Sequence, residues 1–353
     1  MRSIATVAIH PYALRLVQPW RTAAGEVTRR RGWLVRVEDH AGRIGWGDHP
    51  APLPDPGDET TGARLAALAR PLRGLSPKAA LARLVQSPTT IGVEGALLDL
   101  LAQQRDQPLR FLLSQTAAAT VSVNAVATPA TVAAAVADGF TMVKLKLGLA
   151  PWDEEVAALH RLTLPPGVML RLDANQAWSW DEAVAVLEAL ADLPVDSVEE
   201  PLRGADPTQL AALQALTAIP LALDESFNPL AAESLLAARP VRRLVLKPAR
   251  LGGLRATLAL AHRVQQAGFE LMVTSLVESA IGIAATASLT AALDPAARQV
   301  HGLATSSWLA EDVAPPLTVQ AGRLFLTNRP GLGLHPSAGL TATGVYFGDA
   351  SGL

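Results

Sequence analysis

The 353-residue chain predicts an α/β protein: a parallel, TIM-type (β/α)8 barrel preceded by a smaller α+β capping module. Three observations predict it. Eight short β-rich runs recur between residues 121 and 303, with helical stretches filling the gaps. Residues 1–115 lack that alternation and read as strands first, then helices. Five consecutive β-runs of the repeating region end in charged residues, at the level where such barrels place their chemistry.

The elements follow in order. Residues 4–8, 32–38 and 43–47 read as strands, with a polar loop over 20–25. Residues 50–56 carry four prolines, which cannot donate to a ladder, so an irregular loop is expected. Helical patterns cover 59–72, 77–84 and 93–105. The barrel strands are read at 121–125, 142–147, 168–173, 195–200, 220–224, 242–247, 270–275 and 299–303. The central six are continuous apolar runs, as strands buried on both faces require. Residues 273–293 are almost free of charge and long enough for a membrane span. They contain Glu278 and are rich in Ala, Ser and Thr, which fits a buried helix better. After residue 310 the alternation stops, and 313–353 should return to the surface of the first module. The expected units are therefore 1–115, 116–310 and 311–353.

Composition narrows the function classes. Half the residues are hydrophobic and 18% are charged, which excludes a disordered chain. A net charge of −2 gives no reason to expect nucleic acid or an anionic membrane as partner. The absence of cysteine excludes a disulfide framework, a thiolate metal site and a Cys nucleophile. The first residues alternate like a strand, with no basic segment leading into an apolar run. No signal peptide is expected, and the expected location is the cytoplasm.

The strand ends carry the chemistry. The second barrel strand ends in Lys144-Leu145-Lys146, the third in Asp173, the fourth in Glu199, the fifth in Asp224 and the sixth in Lys247. Asp173, Glu199, Asp224 and Lys247 follow one another at intervals of 26, 25 and 23 residues, about one β/α unit each. Three carboxylates converging on a barrel mouth repel one another, and a hard divalent cation relieves that repulsion. An all-oxygen donor set favours Mg²⁺, or Mn²⁺, over Zn²⁺. A substrate carboxylate bound there would have its α-proton acidified. Lys144 and Lys146 are two apart and share a strand face. A neighbouring ammonium and a nearby cation both favour the neutral amine that a lysine base needs.

Other polar residues read as structural. Glu200 and Glu225 alternate away from Glu199 and Asp224, so they are expected as helix caps. The seven histidines show no metal-ligand spacing, and His262 sits in a helix as a surface residue. Gly252-Gly253 reads as a tight turn opening a helix, and no P-loop or dinucleotide fingerprint is present.

This constellation resembles the enolase superfamily, specifically its muconate-lactonizing-enzyme subgroup, over essentially the whole chain. The family pattern is Lys-x-Lys on the second strand, metal ligands on the third to fifth and a lysine on the sixth. Lys144-Leu145-Lys146, Asp173, Glu199, Asp224 and Lys247 meet it. The resemblance implies a (β/α)7β barrel whose capping domain is completed by the C-terminal segment. It also implies Lys146 as acid/base, Lys247 as the opposed cation facing an enediolate, and Mg²⁺ as cofactor. A His-based member is disfavoured, because 270–275 contains no histidine. Within the subgroup, the runs 171–178, 274–279, 301–305, 311–313 and 330–333 look most like o-succinylbenzoate synthases. Those enzymes dehydrate a succinylated hydroxycyclohexadiene carboxylate on the route to menaquinone or phylloquinone. By that likeness Thr274 and Ser275 would hold the succinyl end. Arg171 and Asn175 would support the metal Asp, and cap loops near Arg21 and Pro52 would set specificity. Two departures stand out. Asp48 follows Gly45-Trp46-Gly47 where relatives often carry Glu, and Ala304 and Ser306 stand where dipeptide epimerases show Asp-x-Asp. N-succinylamino acid racemisation, dipeptide epimerisation and muconate-type cycloisomerisation stay open on the same scaffold. So do, outside the family, a Schiff-base aldolase using Lys146 or Lys247 and a non-catalytic barrel. The expected partner is a small-molecule carboxylate, and the sequence sets no oligomeric state.

Overall fold

The computed structural model describes residues 2–22, 25–53, 55, 57, 60–337 and 345–346. The chain begins with an antiparallel sheet of β1 (Ile4–Thr22), β2 (Gly25–Asp39) and β3 (Ile44–Pro50). β1 and β2 pair along their length, with a register shift between Arg15 and Trp20. Two short strands with a loop over 20–25 were expected here; the observed element is one long hairpin. The reason is exposure. Beyond Leu14 the ribbon is mostly exposed, so residues such as Val17 and Arg29 lack the apolar in–out alternation that marks a half-buried strand.

Helices α1 (Thr61–Ala69), α2 (Pro77–Arg83), α3 (Ile91–Gln104) and α4 (Leu109–Leu113) follow. Ser76 caps α2 by accepting from the Ala79 amide at 3.3 Å, with Pro77 opening the helix. α3 packs against β3 at glycine. A Cβ added at Gly47 would lie 2.0 Å from the Gly92 carbonyl oxygen, so only glycine allows this approach.

The barrel then runs through β4 (Thr120–Val123), β5 (Ala125–Ala127), α5 (Val132–Ala137), β6 (Met142–Lys146), α6 (Trp152–His160), β7 (Met169–Asp173) and α7 (Trp180–Ala189). It continues through β8 (Val195–Glu199), α8 (Pro207–Ala215), β9 (Leu221–Leu223), α9 (Ala232–Ala238), β10 (Arg243–Leu246), α10 (Pro248–Leu251) and α11 (Leu254–Gln266). β11 (Glu270–Val273), α12 (Ala280–Leu293) and β12 (Val300–His301) complete it. β5 to β11 form a seven-stranded parallel sheet in chain order. β12 pairs in parallel with β4, and a bridge from Thr274 to Gly302 joins the last two barrel strands. The first barrel strand is split into β4 and β5 at Asn124. Outward residues such as Leu145, Leu172, Val198, Leu221 and Leu244 are fully buried under the helices. Capping boxes at Ser179/Glu182 and Asp206/Gln209 start α7 and α8.

The charge-free run 273–293 resolves into the end of β11, a turn and α12. That helix is buried on nearly all sides, because it lies between the barrel and the cap strand β3. Among the described residues no helix is long and apolar enough to cross a membrane. Beyond the barrel, β13 (Val319–Gln320) and β14 (Arg323–Phe325) form a hairpin that extends the β4 edge. The chain then passes the cap helices, where the Leu332 amide donates to Asp99 at 2.7 Å and the Leu109 amide to Gly331 at 2.8 Å. β15 (Val345–Tyr346) pairs with Ala8 and Ile9 of β1.

Candidate active site

Parallel pairing aligns the charged strand ends. Lys146 of β6 is in register with Asp173 of β7, which is in register with Glu199 of β8. One layer below, Lys144 is level with Arg171 and Ser197. Period-2 alternation turns all of these to the barrel interior. Asp224 follows β9 and Lys247 follows β10 at the same mouth. A cavity of about 300 Å³ opens there, and Lys144, Lys146, Asp173, Asp224 and Lys247 line one side of it.

The lysines and carboxylates are paired. The Lys144 ammonium donates to Glu199 at 2.5 Å and lies 2.8 Å from Asp173. Lys247 donates to Asp224 at 2.5 Å. Burial works to lower the Lys144 pKa, but Glu199, Asp173 and Asp224 outweigh it and raise it, so Lys144 is held as a cation. Burial pushes the Glu199 carboxyl up, against the pull of Lys144, and the charges of Asp173 and Asp224 push the same way. Lys146 is different. It is exposed to the cavity, and no hydrogen bond or ion pair to it is found among the described residues. Of the two lysines on β6, it is the one left open to the cavity.

Among the described residues no three acidic or histidine side chains converge closely enough to hold a metal ion as they stand. Lys144 and Lys247 draw the carboxylates toward themselves instead. The donor set nevertheless fits a hard divalent cation. Glu199 Oε1 is fully buried with no hydrogen-bond partner, and its neighbours Asp173 and Asp224 add only oxygen donors.

Support around these groups differs in part from the sequence reading. Arg171 does not reach Asp173. It lies one layer deeper, on Asp196 at 2.9 Å and Asn124 at 3.2 Å, and so closes the barrel floor. The physical reason is that inward residues two apart on a strand occupy successive layers. Asn175 lines the cavity, with its amide on Asp173 at 3.1 Å and its side chain on Glu225 at 3.3 Å. Glu225 therefore faces the cavity rather than capping a helix, because the chain leaves the strand at Leu223 and the alternation ends there. Glu200 is no cap either. It is buried with φ +47°, and it accepts from the Asp224 amide at 2.6 Å and the Ser226 amide at 2.9 Å. It thus fixes the turn that carries Asp224. Burial raises its pKa to about 7.

The lining that β5, the residues after β11, the residues after β12 and Trp20 of the cap contribute is uncharged among the described residues. Trp20, Val126, Leu276, Val277, Ala304 and Trp308 are its apolar members, beside Asn124, Thr274, Ser275 and Thr305. Trp20 of the hairpin meets Trp308 edge-on at 5.5 Å, so the cap contributes a wall to the barrel's cavity. Thr274 and Ser275 also line the cavity. Thr274 Oγ1 is buried without a partner, whereas Ser275 Oγ is 2.7 Å from Thr305 Oγ1. Arg21 follows Trp20 in β1, and its side chain lies outside the described residues. Sequence reasoning missed Trp308 and Val126 as cavity residues. No motif marks them: Val126 reaches the cavity beside Lys144 through strand pairing, and Trp308 where it meets Trp20.

A parallel barrel with lysines and carboxylates at its strand ends, covered by an antiparallel N-terminal sheet, defines the capped-barrel enzymes of the enolase superfamily. The chain belongs to that superfamily: the profile of the enolase C-terminal domain-like family matches residues 127–339. The L-Ala-D/L-Glu epimerase of Bacillus subtilis (strain 168) is 28% identical over 92% of this chain and 95% of its own. Its substrate-liganded structure superposes with a TM-score of 0.84 at 27% identity, covering 95% of this chain and 99% of that one. The o-succinylbenzoate synthase of Desulfotalea psychrophila is 33% identical over 54% of this chain and 53% of its own. A dipeptide epimerase from Cytophaga hutchinsonii, solved with Mg and a dipeptide, shares the fold at a TM-score of 0.83 and 22% identity, over 98% of this chain and 99% of its own.

Proposed function

We propose that this enzyme is an o-succinylbenzoate synthase, dehydrating 2-succinyl-6-hydroxy-2,4-cyclohexadiene-1-carboxylate in menaquinone or phylloquinone biosynthesis. The observation that carries the reading is where the charges of the cavity come from. β6, β7 and the residues after β9 and β10 supply its lysines and carboxylates, while the lining after β11 and β12, Ala304 included, is uncharged. A dipeptide ammonium needs a carboxylate near Ala304, and the described lining residues after β12 supply none. A carbocyclic ring with a succinyl tail needs apolar contact and hydrogen bonds. Trp20, Trp308 and Leu276 supply the first, and the unpartnered Thr274 hydroxyl supplies the second.

Asp173, Glu199 and Asp224 would hold Mg²⁺, which when bound neutralises the substrate carboxylate and so acidifies the α-proton. Lys146 removes that proton from the carbon bearing the carboxylate. The electron pair moves toward the carboxylate, where the Lys247 ammonium faces the developing charge. Lys146 then returns its proton to the ring hydroxyl, which leaves as water, and the ring becomes aromatic. Lys144, held by Asp173 and Glu199, keeps a positive charge beside Lys146. Ser275, which also lines the cavity, completes the proposed contacts to the succinyl end.

A second reading is racemisation of an N-succinylamino acid on the same site. It is favoured by lysines on two different strands, Lys146 on β6 and Lys247 after β10, which permit proton transfer on either face. The whole-length likeness to an epimerase points the same way. The deciding experiment follows loss of diene absorbance by purified protein with Mg²⁺, with an EDTA control. EDTA-sensitive turnover supports the dehydratase. No turnover, together with α-proton exchange of an N-succinylamino acid in D₂O, assigns the racemase instead.

A further inference from the structure

Two charged cap side chains are buried against a single barrel loop. Arg30 on β2 is 1% exposed and Asp48 on β3 is 5% exposed. Arg30 Nε donates to the Val277 carbonyl at 3.2 Å, and its Nη2 donates to the cap's own Ala51 carbonyl at 3.1 Å. Asp48 Oδ2 accepts from the Ser279 amide at 3.0 Å and from Ser279 Oγ at 2.8 Å, while Tyr12 donates to its other oxygen at 2.8 Å. The loop they grip, residues 274–279, leads from β11 into α12 and supplies Thr274, Ser275, Leu276 and Val277 to the cavity.

The grip is needed because the loop is strained. Val277 has φ +60°, a left-handed conformation that a β-branched residue avoids. Local bonds alone are few. The Val277 amide reaches Ser275 Oγ at 3.3 Å, and Glu278 turns back to accept from the Leu276 amide at 2.9 Å. Strain of this kind persists only where the surroundings over-determine it. The barrel fixes the start of the loop, through the Ser275 amide on the Gly302 carbonyl at 3.1 Å and Ser275 Oγ beside Thr305, and the cap fixes Val277 and Ser279.

We propose that Arg30 and Asp48 are positioning residues of the active site, holding the strained 274–279 turn so that its side chains form the substrate wall. They touch no reacting group. Their effect passes through the backbone of Val277 and Ser279 to Thr274 and Leu276. The inference rests on the cavity being the substrate site proposed above. It predicts an effect on substrate binding rather than on proton transfer at Lys146.

The test uses the full chain with Asp48→Ala, Asp48→Asn and the milder Ser279→Ala. Hydrogen exchange is followed on the 274–280 peptide and on a control peptide spanning β6 and β7, and kinetics are measured on the cyclohexadiene carboxylate. Losing these bonds in Asp48→Ala should speed exchange in 274–280 by about tenfold with the control unchanged. KM should rise by about tenfold while kcat stays within about threefold. Asp48→Asn retains an acceptor and should restore both, and Ser279→Ala should give a smaller change of the same kind. Unchanged exchange in 274–280 overturns the proposal. So does faster exchange spread over the whole chain with kcat and KM failing together. If the wild-type protein does not turn over the diene, the dehydratase reading fails separately, and the exchange comparison alone decides the positioning role.

Discussion

At the scale of single residues, the site separates two lysines of one strand by what they touch. Lys144 is held between Asp173 and Glu199, whereas Lys146, two residues on, faces the cavity unpaired among the described residues. A group tied to two carboxylates is a poor proton acceptor, and Lys146 is the one of the pair that a substrate in the cavity can reach. Lys146→Ala should therefore lower kcat by about 10²–10⁴-fold with an unchanged thermal midpoint, since an exposed side chain is removed. Turnover measured alongside a thermal melt checks both halves, and full activity in this variant would remove Lys146 from the mechanism. Buried Glu200 teaches the converse. Glu200 and Glu225 read alike in the sequence, yet Glu200 fixes backbone while Glu225 lines the cavity.

At the scale of elements, the cap depends on close backbone approach. β3 and α3 touch through Gly45, Gly47 and Gly92, so the strand lies directly on helix carbonyls. Gly47→Ala should destabilise the protein by about 1–3 kcal/mol through overpacking. Gly95→Ala, whose added Cβ would sit 3.3 Å from the Gly47 Cα, should change stability less. Urea midpoints of the two variants test the contrast, and equal midpoints would contradict the packing described. Cap carboxylates also serve barrel helices. Glu94 of α3 accepts from the Leu254 amide at 2.6 Å at the start of α11, and Asp48 accepts from Ser279 at the start of α12. Both satisfy amides that helix starts leave unpaired.

For the whole molecule, those buried carboxylates set a pH dependence. Burial raises Asp48 and Asp99 to about 6 and Glu278 to about 7. A carboxyl whose pKa is higher folded than unfolded binds more protons in the native state. Its contribution is complete below the unfolded value and lost as pH rises through the folded one. Burial lowers His49 to about 4, which acts the opposite way, adding stability as pH rises between its folded and unfolded values. Carboxyls outnumber it, so the urea midpoint in EDTA should fall between pH 5 and pH 7.5. A midpoint that rises across that range would show that these groups are not buried as described.

The strand-end series Lys144, Lys146, Asp173, Glu199, Asp224 and Lys247 was legible in the sequence. Parallel strands of nearly equal length repeat at a regular spacing, so chain position alone places each end at one level. The six central barrel strands and the buried helix after β11 were legible for a related reason, since burial on both faces leaves continuous apolar runs. Other features have no local signature. The far part of the β1–β2 ribbon, beyond Leu14, is mostly exposed and carries no periodicity. Trp20 and Trp308 lie 288 positions apart and meet only because the cap folds over the barrel mouth. Arg30 reads as one arginine among three in a row, and its burial against Val277 depends on where β2 docks. The sequence by itself determined the barrel and the charged groups at its mouth, because strand periodicity and spacing are properties of the chain. Tertiary structure alone decided which lysine is free, which glutamate faces the cavity and what closes its far wall, because these depend on contacts between segments remote in sequence.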